Sequence, residues 1–210
     1  MSLWSADLAN LESEIQRVDD FADMYHLDVS DGTYARSLLL FFPDLVRAIR
    51  DKTDKPFEVH LITQRPEHWV DAFAEAGANR IIFYPDTTDD LDGMIGLIRS
   101  RDLEVGISLA LENTVSSIES HLNQLDLVCV VGTSFDIKGV HDVAPGTCEK
   151  IAELVRLRED HNLPYSIEAD GAIRAHTVPK LSAAGADMVV PGSLMFSGAP
   201  ETTSKWLRSI

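Results

Sequence analysis

Residues 165–193 read YSIEADGAIRAHTVPKLSAAGADMVVPGS, and the order of patterns in this stretch decides the fold. Tyr165–Glu168 and Met188–Pro191 are apolar runs of strand length, and a helical pattern near residues 174–184 lies between them. Gly185, in AAGAD, stands where a helix ends in the left-handed conformation before the chain enters its next strand. Strand, helix and strand in such close succession make a βαβ unit, whose two strands run parallel.

Working outward, the unit recurs. Strands are expected over Ser2–Ser5, Met24–Val29, Phe57–Ile62, Arg80–Tyr84, Glu104–Leu109 and Leu127–Val131. Helical patterns fall near residues 7–20, 42–52, 66–76, 89–101, 114–123, 145–160 and 202–209. EAGAN repeats the glycine stop at Gly77, Pro66 opens a helix, and Asp89 and Asp90 occupy the first turn of another. A parallel α/β architecture of this kind predicts a (β/α)8 TIM barrel, a single domain over residues 1–210. A doubly wound open sheet is the alternative. No linker or low-complexity tract marks a second domain.

The 210 residues include 34 acidic against 18 basic side chains, a formal charge of −16. Nucleic acid and anionic membrane surfaces are therefore excluded as main partners, since neither gains from a negative surface. A small anionic ligand is not excluded, because backbone amides bind phosphate whatever the net charge. Two cysteines, Cys129 and Cys148, form no CxxC pair, so neither a disulfide scaffold nor a zinc knuckle is expected. MSLWSADLANLESEI has no basic segment followed by a long apolar run, and a cytoplasmic location is the expectation.

In a barrel, chemistry sits at the C-terminal ends of strands and in the loops that follow. There the sequence places His26 and Asp28, then His60, then Asp170. Alternate residues of a strand share a face, so His26 and Asp28 point together into an interior that resists bare charge. A divalent cation answers that problem, and imidazole with carboxylate donors suits zinc, manganese or iron. Gly171 after the seventh strand and Gly192 and Ser193 after the eighth read either as a phosphate grip or as a glycine turn with a serine cap.

HLDVSDG (26–32), EVHLI (58–62), EADGAI (168–173) and AGADMVVPGSLMF (184–196), in that order, resemble the ribulose-phosphate 3-epimerase family, as does SLWSADL near the start. The resemblance implies a metal-dependent sugar-phosphate 3-epimerase on a (β/α)8 barrel. It implies His26, Asp28, His60 and Asp170 as ligands of one divalent metal ion, with Asp28 and Asp170 as the acid–base pair. Ser5 would lie at a phosphorylated ketose substrate, and Gly171, Ala172, Gly192 and Ser193 in the phosphate grip. A homo-oligomer is likewise implied.

The chain departs from the family pattern in the shell around this set. Ser30, Ile62 and Val131 stand where methionines are usual, Tyr84 where a histidine is usual, and Ala172 where a second glycine is usual. GTSFDIKGVHD (132–142) replaces the family's glycine-rich loop after the sixth strand, leaving Gly139 to do part of its work. The alternatives are an aldolase or decarboxylase of a phosphorylated substrate, for which Lys138 is the loop lysine, and a non-catalytic relative. His141 and His176 stand in positions from which they could approach the site.

Overall fold

In the computed structural model, which describes residues 1–134 and 140–210, the repeating units curl into an eight-stranded sheet wrapped by helices. The strands are β1 (Tyr25–Asp31), β2 (Leu38–Leu40), β3 (Phe57–Leu61), β4 (Arg80–Phe83), β5 (Glu104–Leu109), β6 (Leu127–Val131), β7 (Ser166–Asp170) and β8 (Met188–Val189). Neighbours run β2-β1-β3-β4-β5-β6-β7-β8; every pairing is parallel except β1 with β2. The chain is a (β/α)8 barrel, and no helix among its described residues is long and apolar enough to cross a membrane.

Two strand expectations need correction. Ser2–Ser5 is a strand only at Ser2, which bridges His26; Leu3–Ser5 then turn as a 3-10 helix. The Ser2 side chain accepts from the Trp4 amide and bends the chain across the barrel mouth. This one residue still closes the ring, because the Ser2 amide donates to Pro191 O (3.1 Å) and the His26 amide donates to Met1 O (2.9 Å). The second correction is β2, a short antiparallel return that sequence periodicity did not reveal. Asp31 makes the turn leading to it by accepting from both the amide and the hydroxyl of Thr33, and Gly32 takes a positive φ of 80°.

The helices are α1 (Leu11–Val18), α2 (Pro43–Arg50), α3 (Val70–Ala76), α4 (Leu91–Arg99), α5 (Thr147–His161), α6 (Val178–Ala184), α7 (Ser193–Phe196) and α8 (Pro200–Leu207). Gly77 and Gly185 end α3 and α6 in the left-handed conformation, as the sequence requires. The helix expected over 114–123 is instead two 3-10 segments, Val115–Ser117 and Glu119–Gln124. Its serines compete with the helical backbone: the Ser117 hydroxyl donates to Thr114 O at 2.7 Å.

Side-chain alternation sorts the strands into two surfaces. Leu27, Val59, Ile81, Val105, Val128 and Ile167 face outward and pack beneath Ile15, Val46, Phe73, Ile98, Leu154 and Leu181 of the helices. Ile62, Ile82, Leu127, Cys129 and Val131 form a separate cluster inside the barrel. The polar residues His26, Asp28, Glu58, His60, Arg80, Glu168 and Asp170 share the inward parity. One period-two pattern thus supplies both an oily jacket and a polar interior.

Candidate active site

Strand register sets the site. Asp28 on β1 lies opposite His60 on β3, and Asp170 ends β7 opposite Val131. His26 Nε2 is 3.2 Å from Asp28 Oδ1 and 3.1 Å from His60 Nδ1. Asp170 Oδ2 approaches the same two nitrogens at 4.0 and 3.9 Å. One donor atom from each of His26, Asp28, His60 and Asp170 lies within 4.8 Å of the others, so the four residues sequence reasoning grouped do converge.

This donor set fits a divalent cation. Two carboxylates and two imidazoles aim buried atoms at one point, and no lysine or arginine reaches them within ion-pair distance among the described residues. His60 Nε2 is buried without a hydrogen-bond partner, its ring lying against Tyr84 with centroids 5.3 Å apart. Burial disfavours a charged His26, but Asp28, Glu58 and Asp170 outweigh it and hold its pKa well above the usual value.

The two aspartates differ. Asp28 accepts from the Ser2 hydroxyl at 2.8 Å. Burial works against its ionisation, yet His26 and His60 hold its carboxyl well below the usual range. Asp170 accepts from the amide of Gly171 at 2.7 Å, and burial, with Asp28 nearby, pushes its pKa up.

Beneath the four lies a layer that sequence reasoning missed. His26 Nδ1 is 2.8 Å from Glu58 Oε1, and Arg80 Nη1 donates to Glu58 Oε2 at 2.9 Å. Arg80 Nε in turn donates to Glu104 Oε2 at 2.8 Å, extending the chain to the exposed end of β5. Glu58 therefore fixes which ring nitrogen of His26 faces the cluster. Glu168 on β7 has no such support: its Oε1 is 3.9 Å from His26 Nδ1 and is buried without a hydrogen-bond partner. Burial and the Glu58 charge push it up to about 8. The signal for this layer was present in the sequence. Glu58 and Glu168 precede His60 and Asp170 by two residues, so a strand's period puts them on the same interior face.

Above the four, a cavity of about 980 Å³ opens through the barrel mouth, lined by Ser5, Asp28, His60, Asp170, Gly171, Ala172, Gly192 and Ser193 among others. Gly192 passes so close to Ser5 that an added Cβ would stand 2.4 Å from its hydroxyl, which explains a glycine there. Gly171 (φ 81°) and Ala172 (φ 52°) are both left-handed, so the alanine sits where glycine is easier. Ile62 and Val131 line the cavity, whereas Ser30 does not; its hydroxyl donates to Ser37 O at 2.7 Å and ties down the β1–β2 loop. His141 and His176 are exposed and away from the cavity wall. Gly139 and Lys138 lie outside the described residues.

Barrel and site together define an α/β-barrel enzyme with a polar, cation-fitting centre at the mouth. The profile of the ribulose-phosphate 3-epimerase family matches residues 1–196, and the chain belongs to that family, whose members are isomerases. The ribulose-phosphate 3-epimerase of Treponema pallidum is 35% identical over 198 residues, covering 94% of this chain and 90% of the relative. Ribulose-phosphate 3-epimerase 2 of Cupriavidus necator is 34% identical over 206 residues, covering 95% of this chain and 84% of the relative. Among solved structures, 3-hexulose-6-phosphate synthase superposes with a TM-score of 0.65 at 17% identity, covering 100% of this chain and 94% of its own. A tryptophan synthase alpha-subunit from Pyrococcus furiosus reaches 0.67 at 13% identity, covering 99% and 92%. Both structures speak to the fold alone.

Proposed function

We propose that this chain is a metal-dependent sugar-phosphate 3-epimerase. Its substrates are the ribulose 5-phosphate/xylulose 5-phosphate pair or a related ketose phosphate, and its acid–base pair is Asp28 and Asp170. The observation that carries the reading is the pair itself: two aspartates from different strands meet at the cavity floor, their carboxylate oxygens within 4.8 Å of each other and of a nitrogen of His26 and of His60. Epimerisation beside a ketone removes a proton from one face of a carbon and delivers one to the other, which requires a base and an acid together.

Asp28, ionised and steadied by Ser2, is set to take the proton; Asp170, with its raised affinity, is set to deliver one. In the reverse direction the two exchange duties. His26 and His60 complete the set that would hold one divalent ion. When bound, that ion supplies electrostatic stabilisation to negative charge developing on the substrate's oxygens. Ser5, Gly192, Ser193, Gly171 and Ala172 form the wall against which the phosphorylated end is held. The Gly171 amide already serves Asp170, so its share in that grip falls to neighbouring groups. An aldolase or decarboxylase mechanism using a lysine finds less support, because no lysine among the described residues lines the cavity.

The test is solvent-deuterium exchange at C3 of a ketose phosphate by the metal-loaded protein. Asp28→Asn and Asp170→Asn are each expected to lower the exchange rate by about 10²–10⁴-fold, the range of a lost acid or base. Full exchange in both variants would remove the assignment.

A further inference from the structure

Of the twelve arginines in the chain, nine pair with a carboxylate among the described residues. That is the expected state in a protein with 34 acidic residues. Of the remaining three, Arg50 is used structurally: it donates to Thr53 O and Lys55 O and lies over the Phe57 ring. The other two, Arg36 and Arg174, both line the cavity above Asp28 and Asp170. Arg36 is exposed on the loop between β1 and β2 and has no hydrogen-bond or ion-pair partner among the described residues. Arg174 follows β7, is half-buried, and donates to carbonyl oxygens, Ile173 O at 2.9 Å and Val140 O at 3.3 Å.

Two guanidiniums lining one cavity, neither with a carboxylate partner among the described residues of so acidic a protein, mark a place for an anion. Two guanidinium charges facing one cavity are the complement of a phosphomonoester dianion.

The phosphate grip implied by family resemblance consists of glycine-rich backbone and a serine, and neither arginine belongs to it. We propose that Arg36 and Arg174 are specificity-determining residues that recognise the phosphate of the substrate by charge. Resting on the epimerase reading of this cavity, the proposal adds to it why an altered loop shell still selects a phosphorylated ligand. Arg174 stands next to Ile173 and Ala172, on the loop that leaves the catalytic Asp170, so it holds the phosphate at a fixed distance from the reacting carbon. Arg36 approaches from the loop that Ser30 ties down through Ser37, which gives that serine a purpose beyond filling a methionine's place.

The experiment compares wild type, Arg36→Gln, Arg174→Gln, Arg174→Lys and the double glutamine variant. For each, kcat and KM are measured with a ketose phosphate, together with inhibition and thermal stabilisation by inorganic phosphate. Each glutamine variant is expected to raise KM and weaken inorganic phosphate about tenfold, as one charged hydrogen bond is worth, with kcat within about threefold. Arg174→Lys keeps most of the phosphate affinity.

Unchanged KM and phosphate affinity in the double variant would overturn the proposal. So would a loss that tracks melting temperature and is equally deep in the lysine variant, since that is the behaviour of a structural brace. If wild type fails to exchange C3 deuterium, the epimerase reading falls by itself, and phosphate-induced stabilisation still decides the role of the arginines.

Discussion

The β1–β3 side and the β7 side of the barrel interior each present an aspartate with a glutamate below it, and the two pairs are kept in opposite states. Asp28 is compensated by His26 and Ser2, and Glu58 by His26 and Arg80, so both carboxyls are held low despite full burial. Asp170 accepts from the Gly171 amide, Glu168 Oε1 has no hydrogen-bond partner among the described residues, and burial pushes both carboxyls up. Chemically alike side chains in one small volume are thus displaced in opposite directions, according to where His26 and Arg80 reach.

Breaking the compensated half has the largest effect. Glu58→Ala strands Arg80 with Glu104 alone and frees His26 to rotate. Removing one member of a buried pair costs about 3–5 kcal/mol, which at this chain length lowers Tm by roughly 10 °C. Divalent-metal affinity, read by chelator competition, is expected to fall about 10–100-fold, as when a partner that orients a histidine ligand is lost. A normal metal affinity in the folded variant would mean that Glu58 supports the barrel without positioning His26.

Breaking the uncompensated half works in the opposite sense. The folded-state pKa of Glu168 is raised to about 8 from an ordinary value of 4.5. Folding therefore favours its protonated form. The stability that proton contributes is complete below about pH 4.5 and disappears as pH rises through about 8. For the metal-free protein, Glu168→Gln is expected to raise Tm at pH 8.5 by several degrees and to leave it nearly unchanged at pH 5. Equal shifts at both pH values would count against a titrating Glu168.

How much of this was legible before the structure follows from the same contrast. The barrel was readable because each βαβ unit announces itself locally, through strand-length apolar runs and glycine helix stops. The metal-type set was readable because chemistry-bearing residues stand at strand ends. What escaped needed information that period and composition do not carry. Glu58 and Glu168 share the parity of His60 and Asp170, but only register shows that Arg80 reaches one and not the other. The Ser2 bridge replaces a whole strand because the chain turns at once into a 3-10 helix, a choice made by one serine cap. The antiparallel β2 depends on Asp31 folding its carboxylate back onto Thr33, a turn too short for a periodic signal. Arg36 and Arg174 look like ordinary surface cations until every other arginine's partner is known.

The smallest effect belongs to the loop that leaves β7. Ala172 holds φ at 52°, and its carbonyl accepts from the Thr177 hydroxyl at 2.6 Å, so the strained turn is tied in place. The left-handed conformation costs a residue with a Cβ about 1–2 kcal/mol. Glycine removes that cost but loses about 0.5–1 kcal/mol through the freer unfolded chain. The balance favours Ala172→Gly by about 0.5–1 kcal/mol, a rise in Tm of roughly 2 °C. Ala172 is buried, at 8% exposure, in the cavity wall. A fall in Tm would show that its packing outweighs the strain, and that the turn is held by the alanine rather than in spite of it.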